Sequence, residues 1–319
     1  MGNNTVRNGN IIRKKNKFLK VISILLVFFL VVLIFILTFR PIFLHVTKVP
    51  SISAVYSAWN ANDFNLVHDL TEKILEERPF DNTALAYQGY AYFYLSVAEK
   101  EPSVSLNYVN NAINNLRIAM RDAPASIRPQ IYYILGKAYY QKDVLSSYVY
   151  YADSVVYYLE EALQAGYEAD DIAEYLGMAY AQLGMTEESI VSFSNALLTN
   201  ESDILLLSIA EQYIKNSQQD IAKQYLYRLK TESADEQISL KAQLLLAQLH
   251  TEEGKFEDAL QEYTAILEKN PENADAHYGI GVLYEKQGDL AKARAEWRKT
   301  LKLQVNHSGA LKSLNNGKS

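Results

Sequence analysis

Five histidines, His45, His68, His250, His277 and His307, are the side chains best suited to hold a metal or pass a proton. No two of them stand three to five residues apart, so no helix can present a histidine pair on one face, the spacing a helical metal site needs. The acidic pairs Glu187-Glu188 and Glu252-Glu253 could in principle do general acid–base work. Their ordinary role is as solvated charges at a helix end. The chain holds no Gly-x-Ser-x-Gly nucleophile turn, no phosphate-binding glycine loop and no dinucleotide glycine pattern. Cysteine is absent, which removes thiolate ligands, a cysteine nucleophile and disulfides. These residue types specify no catalytic centre, no metal site and no cofactor, and the expectation is a protein that is not an enzyme.

The elements that carry these residues are read from composition and pattern. The 319 residues include only 7 prolines and 13 glycines, which favours helices over a turn-rich β chain. The net charge of −6 is unevenly spread. Residues 1–20 hold six basic side chains and no acidic one, leaving 25 basic against 37 acidic in the rest. An acidic body has no electrostatic footprint for nucleic acid.

The run VISILLVFFLVVLIFILTF, Val21 to Phe39, is apolar apart from Ser23 and Thr38. As a helix it would span roughly 28 Å at 1.5 Å per residue, about one hydrocarbon core. It is longer than the 7–15 residues typical of a cleaved signal peptide and leads into Arg40-Pro41 without a small-x-small site. The expected order is therefore a basic cytoplasmic tail (1–20), a single transmembrane helix (21–39) and a linker (40–47). The positive-inside rule puts the tail in the cytoplasm and the body outside it. The run holds no charge, so the helix reads as a plain anchor.

The body repeats. The segments Tyr175–Leu197, Leu244–Leu267 and Tyr278–Leu301 share one spacing. A small residue (Gly177, Ala247, Gly281) is followed three on by an aromatic or histidine (Tyr180, His250, Tyr284). Four further comes glycine (Gly184, Gly254, Gly288), five further a small residue (Ser189, Ala259, Ala293), and four further an aromatic (Phe193, Tyr263, Trp297). The physical reading is a helical hairpin. The glycine ends the first helix in a left-handed turn, and the small residues let the second helix approach closely. One such hairpin cannot bury its apolar face alone, so neighbours must stack.

This pattern resembles the tetratricopeptide repeat. Weaker copies extend the resemblance over nearly all of the body, with starts near 48, 82, 129, 170, 203, 240 and 274. In the copy at 203, Ser217 replaces the turn glycine, and the first helix of the copy at 48 is degenerate. The resemblance implies an all-α fold: a right-handed α-solenoid of about seven hairpins over 48–307, behind the transmembrane helix, with a polar capping helix and tail at 308–319. Two hairpins, 82–128 and 129–169, are overlong. Gly89 and Ala119 are 30 apart and Gly136 and Ala162 are 26 apart, against 19 for Gly177 and Ala196.

In the family, the first helices line a concave groove that binds extended or helical peptides. The matching positions here include Tyr90, Phe93, Tyr133, Lys137, Met178, Leu207, Leu244, Tyr278 and Val282; the alternative is tight curvature that buries these groups against one another. Only Lys137 is basic, so the basic clamp that some members use for a C-terminal carboxylate is missing. The two insertions lie between first and second helices and would form adjacent long tips. Val97, Val104, Val144, Leu145, Tyr148, Tyr150 and Tyr157 are their candidate interface residues; the alternative is that the tips pack on each other. In the tyrosine-rich stretch YYADSVVYYLEEAL, residues Tyr148, Ala152, Val155, Leu159 and Ala162 make the buried stripe of a second helix. Tyr150 and Tyr157 fall opposite that stripe.

The functional expectation is a single-pass inner-membrane protein, N-terminus cytoplasmic and repeats periplasmic. It would be a scaffold for other proteins in an envelope-associated complex, such as a secretion, cell-envelope or periplasmic flagellar-motor machine, and a homo-oligomer is possible within that reading. The rival is a chaperone-like, translocon-associated module that captures hydrophobic peptide segments.

Overall fold

A computed structural model describes residues 25–36, 49–146 and 150–316. These residues are helical throughout, with no strand among them. Of the apolar run 21–39, residues 25–36 form helix α1, with side chains 37% to 68% exposed; the rest of the run, the 1–20 tail and the 40–47 linker lie outside the described residues. Among the described residues no helix is long and apolar enough to cross a membrane.

The body consists of seven successive hairpins. They are α2 (Ile52–Asn60) with α3 (Phe64–Glu77), α4 (Asn82–Ala98) with α5 (Pro102–Met120), α6 (Arg128–Leu145) with α7 (Ala152–Gln164), and α8 (Ile172–Leu183) with α9 (Thr186–Thr199). Then come α10 (Asp203–Lys215) with α11 (Gln219–Glu232), α12 (Glu236–Glu252) with α13 (Phe256–Lys269), and α14 (Ala274–Lys286) with α15 (Leu290–Leu303). Helix α16 (Ser308–Asn316) packs on α15 and closes the array. Each second helix packs on the first helix of the next hairpin. First helices also pack on one another, except α8 and α10, which share at most a slight contact.

Local chemistry sets these boundaries. Ser51, Asp81, Ser202, Asp235 and Asn273 cap the starts of α2, α4, α10, α12 and α14, each side chain accepting a backbone N–H of the first turn. The five short turns share one closure. A residue of positive φ, Asn62, Gly184, Ser217, Gly254 or Gly288, lets the next N–H donate back to the carbonyl five residues earlier. The acceptors are Ala58, Tyr180, Tyr213, His250 and Tyr284, at 2.8 to 3.0 Å. This satisfies carbonyls that a helix C-terminus otherwise leaves open.

Close approach explains the small residues of the motif. A Cβ on Gly177 would sit 2.5 Å from the Phe193 ring, and one on Gly281 would sit 2.4 Å from the Trp297 indole. Both rings are at most 2% exposed. Truncating either to alanine is expected to cost about 3–5 kcal/mol.

The two overlong hairpins use their extra residues differently. In the first, α4 and α5 both lengthen, and Pro102 starts α5 where its missing N–H costs nothing. Ser105 Oγ donates to the Ser96 carbonyl at 2.8 Å, repeating seven residues farther out on each helix the type of bond Ser189 makes to Gly177. In the second, α6 lengthens but α7 begins only at Ala152, leaving a connecting segment 146–151.

Candidate protein-binding groove and hairpin tips

The groove-side positions divide into two groups. Tyr90, Phe93 and Tyr133 are 0%, 3% and 7% exposed and belong to a continuous core that runs from Val55 to Tyr180. They therefore offer no surface to a ligand, contrary to the groove expectation. In this half of the array the aromatic rings are large enough to fill the space between neighbouring first helices. Trp59 meets Phe64, Tyr87, Tyr90 and Tyr94 at ring separations of 5.4 to 5.7 Å, and Phe64 stacks on Tyr94 at 4.5 Å.

Lys137 lies within this lattice. Its Nζ donates to Asp171 at 2.7 Å and to Tyr133 Oη at 3.0 Å, and Tyr133 Oη donates to the same carboxylate at 2.8 Å. The ammonium also faces the rings of Tyr133, Tyr175 and Phe93 at 5.0, 5.1 and 5.9 Å, where cation–π attraction adds to the ion pair. Burial, then the Asp171 hydrogen bond, raises the Tyr133 hydroxyl far above its ordinary pKa. Burial, then the charge of Asp171, pushes Tyr175 up to about 12. The only basic residue among the expected groove positions is thus consumed as a structural clip between α6 and α8. Met178 is half-buried and accepts from Tyr140 Oη at 3.1 Å. Leu207 is half-buried against the core of α10, α11 and α12.

Leu244, Tyr278 and Val282 do come together. They line an open recess of about 530 Å³ between α12, α14 and the start of α16. Leu245 and Gln248 of α12 share its wall, with Lys241 and Glu252 on the same helix and Asp275 and Lys286 on α14. The floor includes Tyr263, 4% exposed and pushed up to about 12 by burial. His307 closes one end. Its ring lies 4.7 Å from that of Tyr278, tilted by 43°, and its Nδ1 accepts from the Ala310 N–H at 3.1 Å. That bond puts the proton on Nε2, which donates to Asp275 at 3.1 Å. The recess thus has an apolar middle and charges of both signs at its rim, an arrangement suited to a peptide side chain with hydrogen-bonded flanks. Lys241, Asp275, Lys286 and His307 were not foreseen. The signal was there for three of them: Lys241, Leu244 and Gln248 on α12, and Asp275, Tyr278, Val282 and Lys286 on α14, recur every three or four residues on one helical face.

At the opposite end of the hairpins, Val97, Val104, Val144, Tyr150 and Tyr157 are 57%, 39%, 62%, 78% and 53% exposed. They do not bury one another, so the alternative of mutually packed tips does not describe them. Leu145 packs partly on the core, and Tyr148 lies outside the described residues. Asp143 organises the second tip: its carboxylate accepts from the Tyr151 N–H at 2.7 Å and from Gln182 Nε2 of the next hairpin at 2.8 Å. Tyr151 forms no side-chain cap but covers Lys142, whose ammonium lies 4.8 Å from the ring centre.

Ligand atoms of His68, Asp69 and Glu72 on α3 lie within 4.8 Å of one another. Two of these residues are exposed, and His68 Nε2 is engaged with Tyr92 at 3.2 Å.

A tetratricopeptide repeat family model matches residues 244–302. The anaphase-promoting complex subunit CDC16 of Saccharomyces cerevisiae is 28% identical over 147 residues, which is 44% of this chain and 18% of that protein. The chain therefore spans under a fifth of the length of that relative. The C-terminal part of a tetratricopeptide repeat-containing protein from Cytophaga hutchinsonii aligns with a TM-score of 0.56 and 13% identity, over 83% of this chain and 99% of that one. A tetratricopeptide repeat protein from Parabacteroides merdae aligns with a TM-score of 0.51 and 18% identity, over 71% and 92%. At these identities the likeness is one of fold. Residues 244–302 thus match the tetratricopeptide repeat family model, set within a helical solenoid of the same fold.

Proposed function

We propose that the protein is a membrane-anchored scaffold that assembles other proteins of an envelope-associated complex on the extracytoplasmic side. The observation that carries the binding part is the recess between α12, α14 and α16, with Leu244, Tyr278 and Val282 in its middle. It takes a short partner segment through one apolar side chain, while Gln248, Lys241 and Lys286 engage the flanking backbone and charges. The anchor part rests on the apolar run 21–39 and the basic residues before it. Among enzymes, scaffolds and carriers, the scaffold reading also draws on the fold, which stacks repeats into a long surface.

The test is crosslinking from a photoreactive residue at Gln248, which is exposed, followed by identification of adducts. A scaffold yields one or a few partners in fixed stoichiometry, and Val282→Glu abolishes the adducts while helicity is kept. Partner yield unchanged by Val282→Glu would remove the recess from the account. A broad range of unfolded clients would favour the chaperone-like reading instead.

A further inference from the structure

Stacked hairpins give the solenoid two edges. All turns from a first helix to its second lie on one edge; all connections from a second helix to the next first helix lie on the other. The chain enters α2 at Ile52, on the connection edge. The three most exposed large apolar side chains among the described residues, Leu198 at 84% and Phe80 and Val305 at 80%, all sit at these connections. Phe80 is the one next to the entry point, in the connection Arg78-Pro79-Phe80-Asp81 between α3 and α4.

We infer that the connection edge at the N-terminal end of the solenoid lies on the bilayer, with Phe80 inserted at the headgroup boundary. The inference rests on the anchor reading of residues 21–39. Only the 12 residues 40–51 separate that run from α2. Fully extended they reach about 40 Å, at 3.3–3.6 Å per residue. A side chain held that close to a surface samples it at an effective concentration in the millimolar range, so even a weak interfacial preference keeps it there. An exposed phenylalanine on a rigid connection has no folded-state partner to lose: Phe80 makes no ring contact, whereas the neighbouring Phe64 and Tyr87 are built into the aromatic lattice. The flanking charges balance in sign. Arg78 and Arg121 stand on the first two connections with Asp81 and Asp122, and Arg78 is paired with Asp81 at 3.1 Å. The contact is therefore apolar and does not require anionic lipid.

The absence of cysteine makes a direct test simple, because one introduced cysteine takes a label uniquely. The full chain is incorporated into vesicles of neutral phosphatidylcholine, with an environment-sensitive fluorophore at Phe80→Cys or, on the opposite edge, at Val144→Cys. Both sites are exposed, so neither change threatens the fold. The label at 80 is expected to blue-shift, to brighten severalfold over the same chain in detergent-free buffer after proteolytic release from the vesicles, and to be quenched by lipids carrying a nitroxide near the headgroup. The label at 144 is expected to do none of these and to be quenched by aqueous iodide. A chain that stays in the vesicles after carbonate extraction, yet has label 80 as open to iodide as label 144, overturns this inference alone. A chain removed by carbonate overturns the anchor reading and this inference with it.

Discussion

Ser217 stands where three sibling turns use glycine, and it adopts the same left-handed backbone, with φ of 58°. A side chain there costs about 1 kcal/mol relative to glycine. Ser217→Gly is expected to stabilise the solenoid by ~0.5–1 kcal/mol, part of the gain being offset by the greater freedom of glycine in the unfolded chain. A denaturant midpoint that does not rise would show that the serine is held by something other than its backbone. The tyrosines give a second residue-scale expectation. Burial pushes Tyr175, Tyr180 and Tyr263 up to about 12, with the Glu160 carboxylate next in importance at Tyr180 and lying 2.6 Å from its hydroxyl. In the unfolded chain these groups ionise near their ordinary value of about 10. The folded state therefore holds protons that the unfolded state gives up, and its stability falls as pH rises from about 10 to about 12. Circular dichroism and tyrosinate absorbance followed together should show helix loss accompanying the late-titrating phenols. A fully ionised yet folded protein would contradict this.

Among the elements, the short hairpins could be read from the chain because their turns impose one glycine and two close-packing residues at fixed spacing. Gly177 against Phe193 and Gly281 against Trp297 are such cases. The lengths of the two insertions were equally open to reading, but their use was not. Pro102 starts a lengthened helix in one, whereas in the other Asp143 reaches across eight residues to the Tyr151 N–H and leaves 146–151 as a connecting segment. That second contact is made through space and has no sequence period. The same limit applies to Tyr90, Phe93 and Tyr133. Their spacing gives the helical face, but whether the neighbouring first helix covers that face depends on how closely α2, α4 and α6 pack. Asp143→Ala removes both the tie to Tyr151 and the tie to Gln182. It should cost ~1–2 kcal/mol and speed amide exchange at Tyr151 and Ala152 severalfold while leaving 186–199 unaffected. Equal exchange in both proteins would show that the tip is held by its aromatic contacts alone.

Over the whole molecule, burial is unequal. One continuous core joins Val55 to Tyr180, while the hairpins beyond it bury their residues in four smaller clusters. The change falls inside the fourth hairpin: Tyr180 of α8 ends the continuous core, while Phe193 and Ala196 of α9 cluster with Leu205 and Ile209 of α10. In a stack of repeats, stability is the sum of repeat and interface terms, so a weak interface separates what would otherwise unfold together. Native-state hydrogen exchange should show 203–316 opening at lower denaturant than 82–180. A single transition shared by both would mean that the α9–α10 contact couples the halves fully. Mechanically, the molecule is a cantilever with a flexure. The part nearest the proposed anchor carries the continuous core, the smaller clusters follow it, and the recess rides on the far arm. The radius over which the recess can meet a partner is then set by the bending of the stack beyond Tyr180, and a clamp along it would trade search range for holding strength.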